Sequence, residues 1–508
     1  MNFLTFTVVQ GIIFVESKHN RKDKIIDNYY YLINSMKESV ILTNNPYGDQ
    51  DITKVKEIRE EFLHLWNSYI NRAWGHDFIS DDDDGSSDSI NFAISMISSI
   101  GTLDILQMKT EIPKIEGFLS KIHKCPYGSY RYADIYSQII GSIASGYYLT
   151  NSASLLKRLF AVVDCLPLSN SFENLYEIAT GHIHTKLSLS VSQTFNIHTF
   201  SGLLLESTVL SSLTGSISWA TRMVSLLDSL MEKSSMKGLL YDDYTLPTHE
   251  SVDSRVSFEN GGLSIYYTFL KMNLLTHHSF PKLMKQYMEA VYTMSEKLVY
   301  FKDNKTAFLL KQSNGTLEDI ASFDSAFVPT MLLLTPDLNE TERLFFENLS
   351  LCLLNGYLEM MEINANGLPP HSVRVKNGFK IVSNKYEFSP SILETLLYFY
   401  RHKHDDRCRK AAWKLFQAVK KSCKNEYGYV SVITSKSGKK TTVRDGEISP
   451  KTFSAFFKYM YLIFSDSLEF DIEKYVFSSE GHPFLKWDVS HYGLEIGSFK
   501  DEGRKFVF

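Results

Sequence analysis

Amphipathic helices recur along the whole chain, and no linker rich in Pro, Ser or Gly separates them. Apolar residues share one helical face between residues 55 and 70. The same spacing returns at residues 283–294, 412–419 and 453–464. Apolar residues three and four positions apart lie on one side of an α-helix. Strand-like segments appear only at residues 428–434 and after residue 470, so the pattern predicts one large all-α domain.

The composition supports a large core and argues against a nucleic-acid partner. Of the 508 residues, 44% are hydrophobic and 13% are aromatic, which is enough to form an extensive core. The 53 basic and 58 acidic residues leave a net charge of −5, and no block of Lys and Arg stands out. Because nucleic-acid binding relies on a basic surface, we expect no nucleic acid among the partners.

The N-terminus carries a short apolar run at residues 3–15. It is too short to span a bilayer comfortably. Val15 and Ser17 resemble a signal-peptidase site, although no basic residue precedes the run. Residues 1–17 are therefore a candidate signal peptide or membrane anchor, and the alternative is a buried first helix or strand. Five scattered cysteines without a CxxC motif argue against a dense disulfide framework.

Two motifs near opposite ends of the chain carry a family resemblance. Residues 475–483 are Tyr-Val-Phe-Ser-Ser-Glu-Gly-His-Pro, and residues 73–77 are Ala-Trp-Gly-His-Asp. They resemble the closing Val-Phe-Asn-Thr-Glu-Ala-His-Pro motif and the opening Trp-Gly-x-Asp motif of glycoside hydrolase family 47, the class I α-1,2-mannosidases. Weaker matches occur between them in the family's order, and the resemblance predicts a mannosidase-like domain over residues 45–490.

The resemblance implies both a fold and a chemistry. Family members form an (α/α)7 barrel, in which paired helices surround a pit and a C-terminal β-hairpin plugs one end. They trim high-mannose N-glycans in the endoplasmic reticulum or Golgi, with calcium at the pit floor. One carboxylic acid protonates the leaving oxygen, and another carboxylate activates water on the opposite side. We therefore expect an all-α (α/α)7 barrel of the secretory pathway that recognises a high-mannose glycan or glycoprotein.

Some acidic positions of the family's site persist. Residues 133–141 resemble Phe-Glu-x-x-Ile-Arg-x-Leu-Gly and place Asp134 at the Glu assigned to acid catalysis, while Gln138 replaces the Arg. Residues 203–215 resemble Leu-Gln-x-Glu-Phe followed by Leu-Thr-Gly, and they retain Glu206. The resemblance implies that Asp134 is the catalytic acid and that Glu206 binds substrate.

Two catalytic carboxylates are absent. Residues 262–271 resemble Gly-Asp-Ser-Tyr-Tyr-Glu-Tyr-Leu-Leu-Lys, but Leu263 replaces the catalytic Asp and Tyr267 replaces the nearby Glu. Leucine cannot exchange a proton. This catalytic position is therefore degenerate.

A second degenerate position follows at residues 388–394, which resemble Leu-Arg-Pro-Glu-x-x-Glu. Ser391 stands at the candidate base, Ser389 replaces an Arg that contacts substrate, and Glu394 is retained. A serine hydroxyl does not act as a base at neutral pH on its own. Glu394 is a predicted substrate-binding residue.

The C-terminal motif retains its polar groups, although other site positions have changed. Ser479 replaces the calcium-binding Thr but keeps a hydroxyl, and Glu480 follows it as a predicted substrate-binding residue. His371 and Ala455 replace two inward glutamates of the family. Residues 98–103 resemble Asp-x-Leu-Asp-Thr-Leu with both acids lost. The resemblance implies a calcium ion at Ser479 with a reduced acidic surround.

Other polar clusters are predicted to be solvated loops. They are the acidic tract at residues 81–84, the His/Asp/Cys cluster at residues 402–408 and the His pair at residues 277–278. A calcium loop is the alternative for the acidic tract, which lacks EF-hand spacing. The His/Asp/Cys cluster looks like a metal site, but it is expected in a turn between helices where the family is also polar.

The sequence thus supports three functional hypotheses. The first is a catalytically degenerate mannosidase-like protein that binds high-mannose glycans. The alternative is an active calcium-dependent α-1,2-mannosidase with a changed acid and base. The third is a helical scaffold without a sugar role.

Overall fold

The computed structural model describes most of the chain from residue 50 to residue 487. The described residues are 7–9, 12–14, 50–80, 85–122, 130–165, 181–183, 189–191, 194–216, 218–231, 238–245, 248, 250–259, 262–376, 378–434, 440–442, 446–465 and 470–487. The apolar run at residues 3–15 contributes only strands β1 (Thr7–Val9) and β2 (Ile12–Phe14), which pair antiparallel. The rest of the candidate signal peptide or anchor lies outside the described residues. Within them, no helix has the length and apolarity needed to cross a bilayer.

Fourteen helices of the described residues form two concentric rings of seven. The outer ring consists of α1 (Ile52–Arg72), α3 (Ile112–Leu119), α5 (Ala153–Val163), α7 (Ser218–Met231), α9 (Pro281–Lys297), α11 (Glu340–Glu362) and α13 (Asp406–Ser422). The inner ring consists of α2 (Ile94–Ile105), α4 (Tyr132–Asp134, the π turn Ile135–Ile140 and Gly141–Thr150), α6 (Ser201–Thr214), α8 (Ile265–Leu275), α10 (Val328–Leu333), α12 (Pro390–Lys403) and α14 (the π turn Thr452–Phe456 and Phe457–Phe464). Each inner helix packs against the next, and α14 packs against α2 to close the ring. This is the (α/α)7 barrel that the resemblance implies.

Burial separates the two rings. In α1, buried side chains such as Val55, Ile58 and Phe62 recur on one face, as the periodicity predicts. In α8 and α12 almost every residue is buried. A helix that is apolar on one side lies at the surface, whereas a helix buried all round lies at the centre of a large protein. The buried Lys271 in α8 therefore needs a partner inside the barrel.

Small sheets join the helices. The largest has five strands in the order β10 (Val299–Phe301), β11 (Ala307–Ser313), β12 (Thr316–Ser322), β13 (Ser372–Arg374) and β14 (Lys380–Ser383). The others pair β3 (Phe78–Ile79) with β4 (Ser86–Ser87), β5 (Tyr130–Arg131) with β6 (Gly181–Ile183) and β7 (Leu189–Val191), β8 (Thr194–Asn196) with β9 (Asp243–Thr245), and β15 (Lys385–Tyr386) with β16 (Val432–Thr434) and β17 (Lys440–Thr442).

A C-terminal β-hairpin enters the inner ring. Strands β18 (Tyr475–Phe477) and β19 (Pro483–Leu485) pair antiparallel with Val476 opposite Phe484. They pack against inner helices α8 and α4, respectively. At the hairpin tip, the Lys458 ammonium on α14 donates to the Gly481 carbonyl at 2.7 Å. The hairpin therefore forms the plug that the family resemblance implies.

Gly481 and Ala455 fit each other at the hairpin tip. Gly481 has a φ of +76°, where a side chain is strained. A Cβ at this position would also lie 2.7 Å from the Cβ of Ala455 on α14. The family motif has Ala at position 481 and Glu at position 455, so both residues are smaller here. The paired reduction in size lets the tip approach α14 closely.

Candidate functional site

A cavity opens at the N-terminal ends of four inner helices, and we call it the pit. It encloses about 410 Å³, including its open mouth. Its lining comes from α6, α8 and α12, the residue before α10, and the hairpin tip. The lining residues are Ser201, Gly202, Leu205, Glu206, Gly262, Ser264, Tyr267, Thr268, Lys271, Phe327, Pro390, Ser391, Glu394 and Ser479.

The structure brings four of the sequence-predicted site residues to this cavity: Glu206, Ser391, Glu394 and Ser479. Two others are sequence neighbours of lining residues, because Leu263 follows Gly262 and Glu480 follows Ser479. Asp134 does not line the pit. It is half-buried at the start of the π turn in α4.

Gly262, the residue before the degenerate position Leu263, lies beside the degenerate position Ser391 at the start of α12. A Cβ placed on Gly262 would lie 2.8 Å from Ser391 Oγ and 3.1 Å from Ser389 Oγ. Ser389 caps α12, since its Oγ accepts a hydrogen bond from the Ser391 backbone N–H at 3.4 Å. The two hydroxyls lie 3.1 Å apart. Position 391 therefore has a neutral hydroxyl group where the family has a carboxylate. Position 263, next to Gly262, has an aliphatic side chain where the family has another carboxylate.

The bottom of the pit is a buried network of three side chains, which we call the partition. Tyr267 Oη donates to Glu394 Oε1 at 2.9 Å, and Lys271 Nζ lies 2.9 Å from the same oxygen and 3.1 Å from Oε2. The Lys271 ammonium also lies 3.9 Å from the centre of the Tyr267 ring. Phe327 stacks on that ring at 5.3 Å. Because two donors hold its carboxylate, Glu394 is a fixed anion rather than a free base.

Glu206 faces the pit with an unpaired carboxyl group. Its side chain is 1% exposed, and neither oxygen has a hydrogen-bond partner among the described residues. Burial raises the pKa of Glu206 well above its ordinary value, and the nearby Glu480 carboxylate raises that pKa further. The surroundings of Glu206 therefore favour its neutral form, whereas a cation bound beside it would favour the carboxylate.

Ser479 provides a test of the implied calcium site. Its Oγ is buried and has no hydrogen-bond partner among the described residues. Calcium prefers six to eight oxygen ligands, and the unpaired oxygens of Ser479 and Glu206 are of this kind. No group of three or more His, Cys, Asp or Glu side chains in the described part could hold a metal ion. The residues present fit a calcium ion that Ser479 would hold, with the carboxyl group of Glu206 in the same pit.

A buried lysine supports the hairpin tip. Burial lowers the pKa of Lys458 to about 7. Its Nζ would lie 3.5 Å from a Cβ on Gly101, which stands where the family has an acidic residue. Beside it, His482 bonds Ser142 Oγ at 3.0 Å, and burial lowers the pKa of His482 well below its ordinary value. Position 101 thus offers no acidic side chain to the Lys458 ammonium, whose pKa stays lowered by burial.

Sequence reasoning missed the roles of Lys271 and Lys458. Each is a lysine in a largely apolar helix segment, and each is buried. Such a pattern indicates a lysine with a fixed internal partner.

The prediction of a solvated loop at residues 402–408 is wrong for most of the cluster. His402 lies in α12 and pairs with Glu473 at 2.7 Å, while Asp405 and Cys408 are buried, because Asp405 caps α13 and Cys408 lies in its first turn. The acidic tract at residues 81–84 lies outside the described residues. His371 is near the site but does not line the pit, and its Nδ1 lies 3.9 Å from Asp324 Oδ1.

Comparison with known proteins decides the family. The model of glycosyl hydrolase family 47 matches residues 61–486, which span both rings and the hairpin. The chain belongs to glycosyl hydrolase family 47. Mannosyl-oligosaccharide 1,2-α-mannosidase IA of Sus scrofa is 24% identical over 457 residues, covering 85% of this chain and 67% of that protein. A probable mannosyl-oligosaccharide α-1,2-mannosidase 1B of Aspergillus niger is 23% identical over 489 residues, covering 88% and 93%.

A solved structure supports the fold of this family 47 chain. The α-1,2-mannosidase from Trichoderma reesei superposes with a TM-score of 0.76 at 19% identity, covering 87% of this chain and all of that one. At this identity the likeness concerns the fold alone. The barrel is therefore that of a family 47 protein, whereas the chemistry depends on the residues of the pit.

Proposed function

We propose that this family 47 protein binds the terminal α-1,2-linked mannose of high-mannose N-glycans in the secretory pathway and hydrolyses it poorly or not at all. The names of the relatives support the glycan class, because they are mannosyl-oligosaccharide α-mannosidases. The observation that carries the proposal is the change of chemistry at the pit mouth. The hydroxyls of Ser391 and Ser389 both lie beside Gly262. The family resemblance implies a base at position 391 and a substrate-binding Arg at position 389.

Inverting hydrolysis needs a carboxylate that activates water and a carboxylic acid that protonates the leaving oxygen. Among the described residues, the pit lining has two carboxyl groups, those of Glu206 and Glu394. Glu394 is held by Lys271 and Tyr267, and burial raises the pKa of Glu206, which favours its neutral form. Neither can serve as the base in this state. Asp134, the implied acid, is one methylene shorter than Glu and does not line the pit, so it is poorly placed to protonate a leaving group.

Binding, in contrast, needs only hydrogen bonds and an apolar contact. The pit offers the hydroxyls of Ser264, Thr268 and Ser391, the carboxyl of Glu206 and the ring of Phe327. Sugar hydroxyls both donate and accept hydrogen bonds, so mixed hydroxyl and carboxyl groups can satisfy them. A calcium ion at Ser479 would coordinate sugar hydroxyls when bound.

Several features of the chain support the proposed secretory location. Cys165 is disulfide-bonded, which favours an oxidising compartment. Four Asn-x-Ser/Thr sequons occur, at Asn304, Asn314, Asn339 and Asn348. The apolar run at residues 3–15 would direct the chain there as a signal peptide or anchor. An intact native N-terminus on an unglycosylated cytosolic protein would contradict this part of the proposal.

A second candidate function is slow hydrolysis with Glu206 as the acid. The observation that favours it is the buried carboxyl group of Glu206, which lines the pit, has no hydrogen-bond partner among the described residues and has a pKa raised by burial. Water without a base would then attack slowly.

A binding and hydrolysis assay on a high-mannose oligosaccharide, with and without calcium, tests both functions. Binding without mannose release supports the first, and slow release abolished by Glu206→Gln supports the second. Absence of binding would contradict both and leave the helical scaffold.

A further inference from the structure

A second cavity lies on the far side of the partition, and we call it the rear cavity. It encloses about 680 Å³, including its open mouth, and shares Tyr267, Lys271 and Glu394 with the pit. The C-terminal parts of α8, α10 and α12 and the base of the hairpin complete its lining. These residues are Leu274, Leu333, Leu334, Tyr398, His402, Ile472, Glu473, Tyr475, Val476, Phe477 and Lys486.

Acidic and basic groups alternate in the rear cavity. At its floor Glu394 pairs with Lys271, and at its rim Glu473 pairs with His402 at 2.7 Å. The rim pair is accessible, since the Glu473 side chain is 61% exposed. Lys486 adds a half-buried ammonium whose charge, together with His402, lowers the pKa of Glu473. Because each carboxylate has a cation beside it, the cavity holds no large unbalanced charge for a strongly ionic ligand.

Aromatic and aliphatic side chains form the remaining surface. Phe477 meets Tyr398 edge to face at 6.5 Å, and the half-buried Tyr475 stacks on Phe470 at 4.8 Å. Tyr267 closes the inner end. The combination of apolar rings with paired donors and acceptors suits a ligand that has apolar C–H faces and hydroxyls that both donate and accept. Neutral saccharides have this chemistry.

We propose that the rear cavity is a second binding site for a neutral saccharide of one or two hexose units, at the opposite end of the barrel from the pit. This site goes beyond the proposed function of the pit and does not require it. The two cavities share the carboxylate of Glu394, so a ligand hydroxyl at either end can compete for the hydrogen bonds of one side chain. The partition would then link occupancy of the two sites.

The test separates the two cavities by blocking the pit. Ser391→Phe and, independently, Gly202→Leu place a large side chain in the pit, and thermal melting shows which variant folds. Methyl α-D-mannopyranoside is titrated into the folded pit-blocked protein and followed by calorimetry or ligand NMR. We expect one saturable equivalent to remain. Adding Glu473→Gln and Lys486→Ala should weaken it at least 10-fold, whereas Lys474→Ala, an exposed neighbour that does not line the cavity, should leave it unchanged.

Each outcome decides the proposal. No saturable binding in the pit-blocked protein would overturn it, and so would binding that is insensitive to Glu473→Gln with Lys486→Ala. Displacement of the sugar by sodium acetate at equal concentration would overturn it in favour of an anion site. The unblocked Glu473→Gln/Lys486→Ala protein reports binding in the pit alone. Failure of the pit function is therefore seen separately from failure of the rear site.

Discussion

Tyr267 and Glu394 join helices α8 and α12 through a hydrogen bond of 2.9 Å from the phenol to the carboxylate. The family has an acidic residue at position 267. Where the family has two neighbouring carboxylates, this protein has a phenol that donates and a carboxylate that accepts. Lys271 neutralises the same carboxylate at 2.9 Å. Glu394 has therefore become part of the internal framework of this barrel, although the motif around it is that of a glycosidase.

Removal of the Glu394 charge should destabilise the fold strongly. Glu394→Gln preserves the volume but leaves the Lys271 ammonium buried without its counter-ion. Breaking a buried pair in this way costs about 3–5 kcal/mol. The free energy of unfolding from urea titration measures the loss. The matched control is Glu473→Gln, which breaks the exposed pair with His402 and should cost less than about 1 kcal/mol. Equal losses in the two variants would show that the partition has no special role.

The fit between Gly481 and Ala455 predicts a second stability effect. Gly481→Ala introduces a Cβ at a φ of +76° and 2.7 Å from Ala455 Cβ, so we expect a loss of about 1–3 kcal/mol. Adding Ala455→Gly to Gly481→Ala should recover the part of the stability that is lost through the clash between the two Cβ atoms. Gly117→Ala is the control, because this helical glycine has no neighbouring atom within 4 Å of an added Cβ. That change should be neutral or stabilising. A Gly481→Ala protein as stable as the wild type would contradict the described packing of the tip.

Calcium should stabilise the protein through Ser479. A ligand that binds only the folded state raises the melting temperature, and we expect a rise on the order of 2 °C at saturating calcium. Ser479→Ala should abolish this rise, whereas Ser391→Ala, which changes another hydroxyl of the pit, should preserve it. An identical rise in all three proteins would place the ion elsewhere.

The same binding should depend on pH because of Glu206. Its raised pKa means that a calcium ion at Ser479 favours loss of the Glu206 proton, and a proton released on binding makes affinity increase with pH. Calcium titrations at pH 6 and pH 8 should show tighter binding at pH 8. Glu206→Gln should remove most of the difference. Affinity that is unchanged between the two pH values in the wild type would contradict the proximity of Glu206 to the ion.

Lys458 should give the stability a characteristic pH slope. Its pKa is about 7 in the folded protein against an ordinary value of 10.5, so between these values the unfolded chain binds more protons. Stability attributable to this group therefore rises with pH across that window, by up to about 1.4 kcal/mol per pH unit. Denaturation of wild type and Lys458→Met at pH 7 and pH 9 should show a flatter dependence in the variant. Lys56→Met, an exposed control, should follow the wild type.

The sequence predicted the barrel well because the apolar faces of outer helices can be recognised within short stretches of sequence. The buried face of α1 and the motifs at residues 73–77 and 475–483 can be recognised without knowledge of distant contacts. The five-stranded sheet from β10 to β14 was not predicted. Its strand β11 begins with the apolar run Ala-Phe-Leu-Leu, and a short apolar run has no period that separates a strand from a buried helix.

The site was predictable position by position but not as a network. Matching motifs placed Glu206, Ser391, Glu394 and Ser479, and these four line one pit. The role of Lys271 depends on a partner 123 residues away along the chain. The rear cavity depends on how the hairpin base meets the ends of three inner helices. Such contacts arise only when the ring closes, so no local pattern contains them.

Restoring the lost carboxylates should restore part of the chemistry. Leu263→Asp with Ser391→Glu returns the residues that the family has at both degenerate positions, and we expect mannose release to increase at least 10-fold over the wild type. A general acid or base contributes about 10²–10⁴-fold, but Gln138 and Ser389 would still hold the sugar poorly. Leu263→Asn with Ser391→Gln is the control of similar size without charge. Equal activity in both double variants would show that the lost carboxylates do not limit the rate.

The most direct test of a binding rather than a hydrolytic pit is the rate of mannose release by the unmodified protein. A high-mannose oligosaccharide with α-1,2-linked ends is incubated with saturating calcium, and an intact family 47 mannosidase is the reference. We expect saturable binding of the oligosaccharide together with a turnover at least about 10⁴-fold below the reference, since both acid–base positions are compromised. Turnover comparable to the reference, abolished by Asp134→Asn, would contradict it and show that the acid functions and that another group supplies the base.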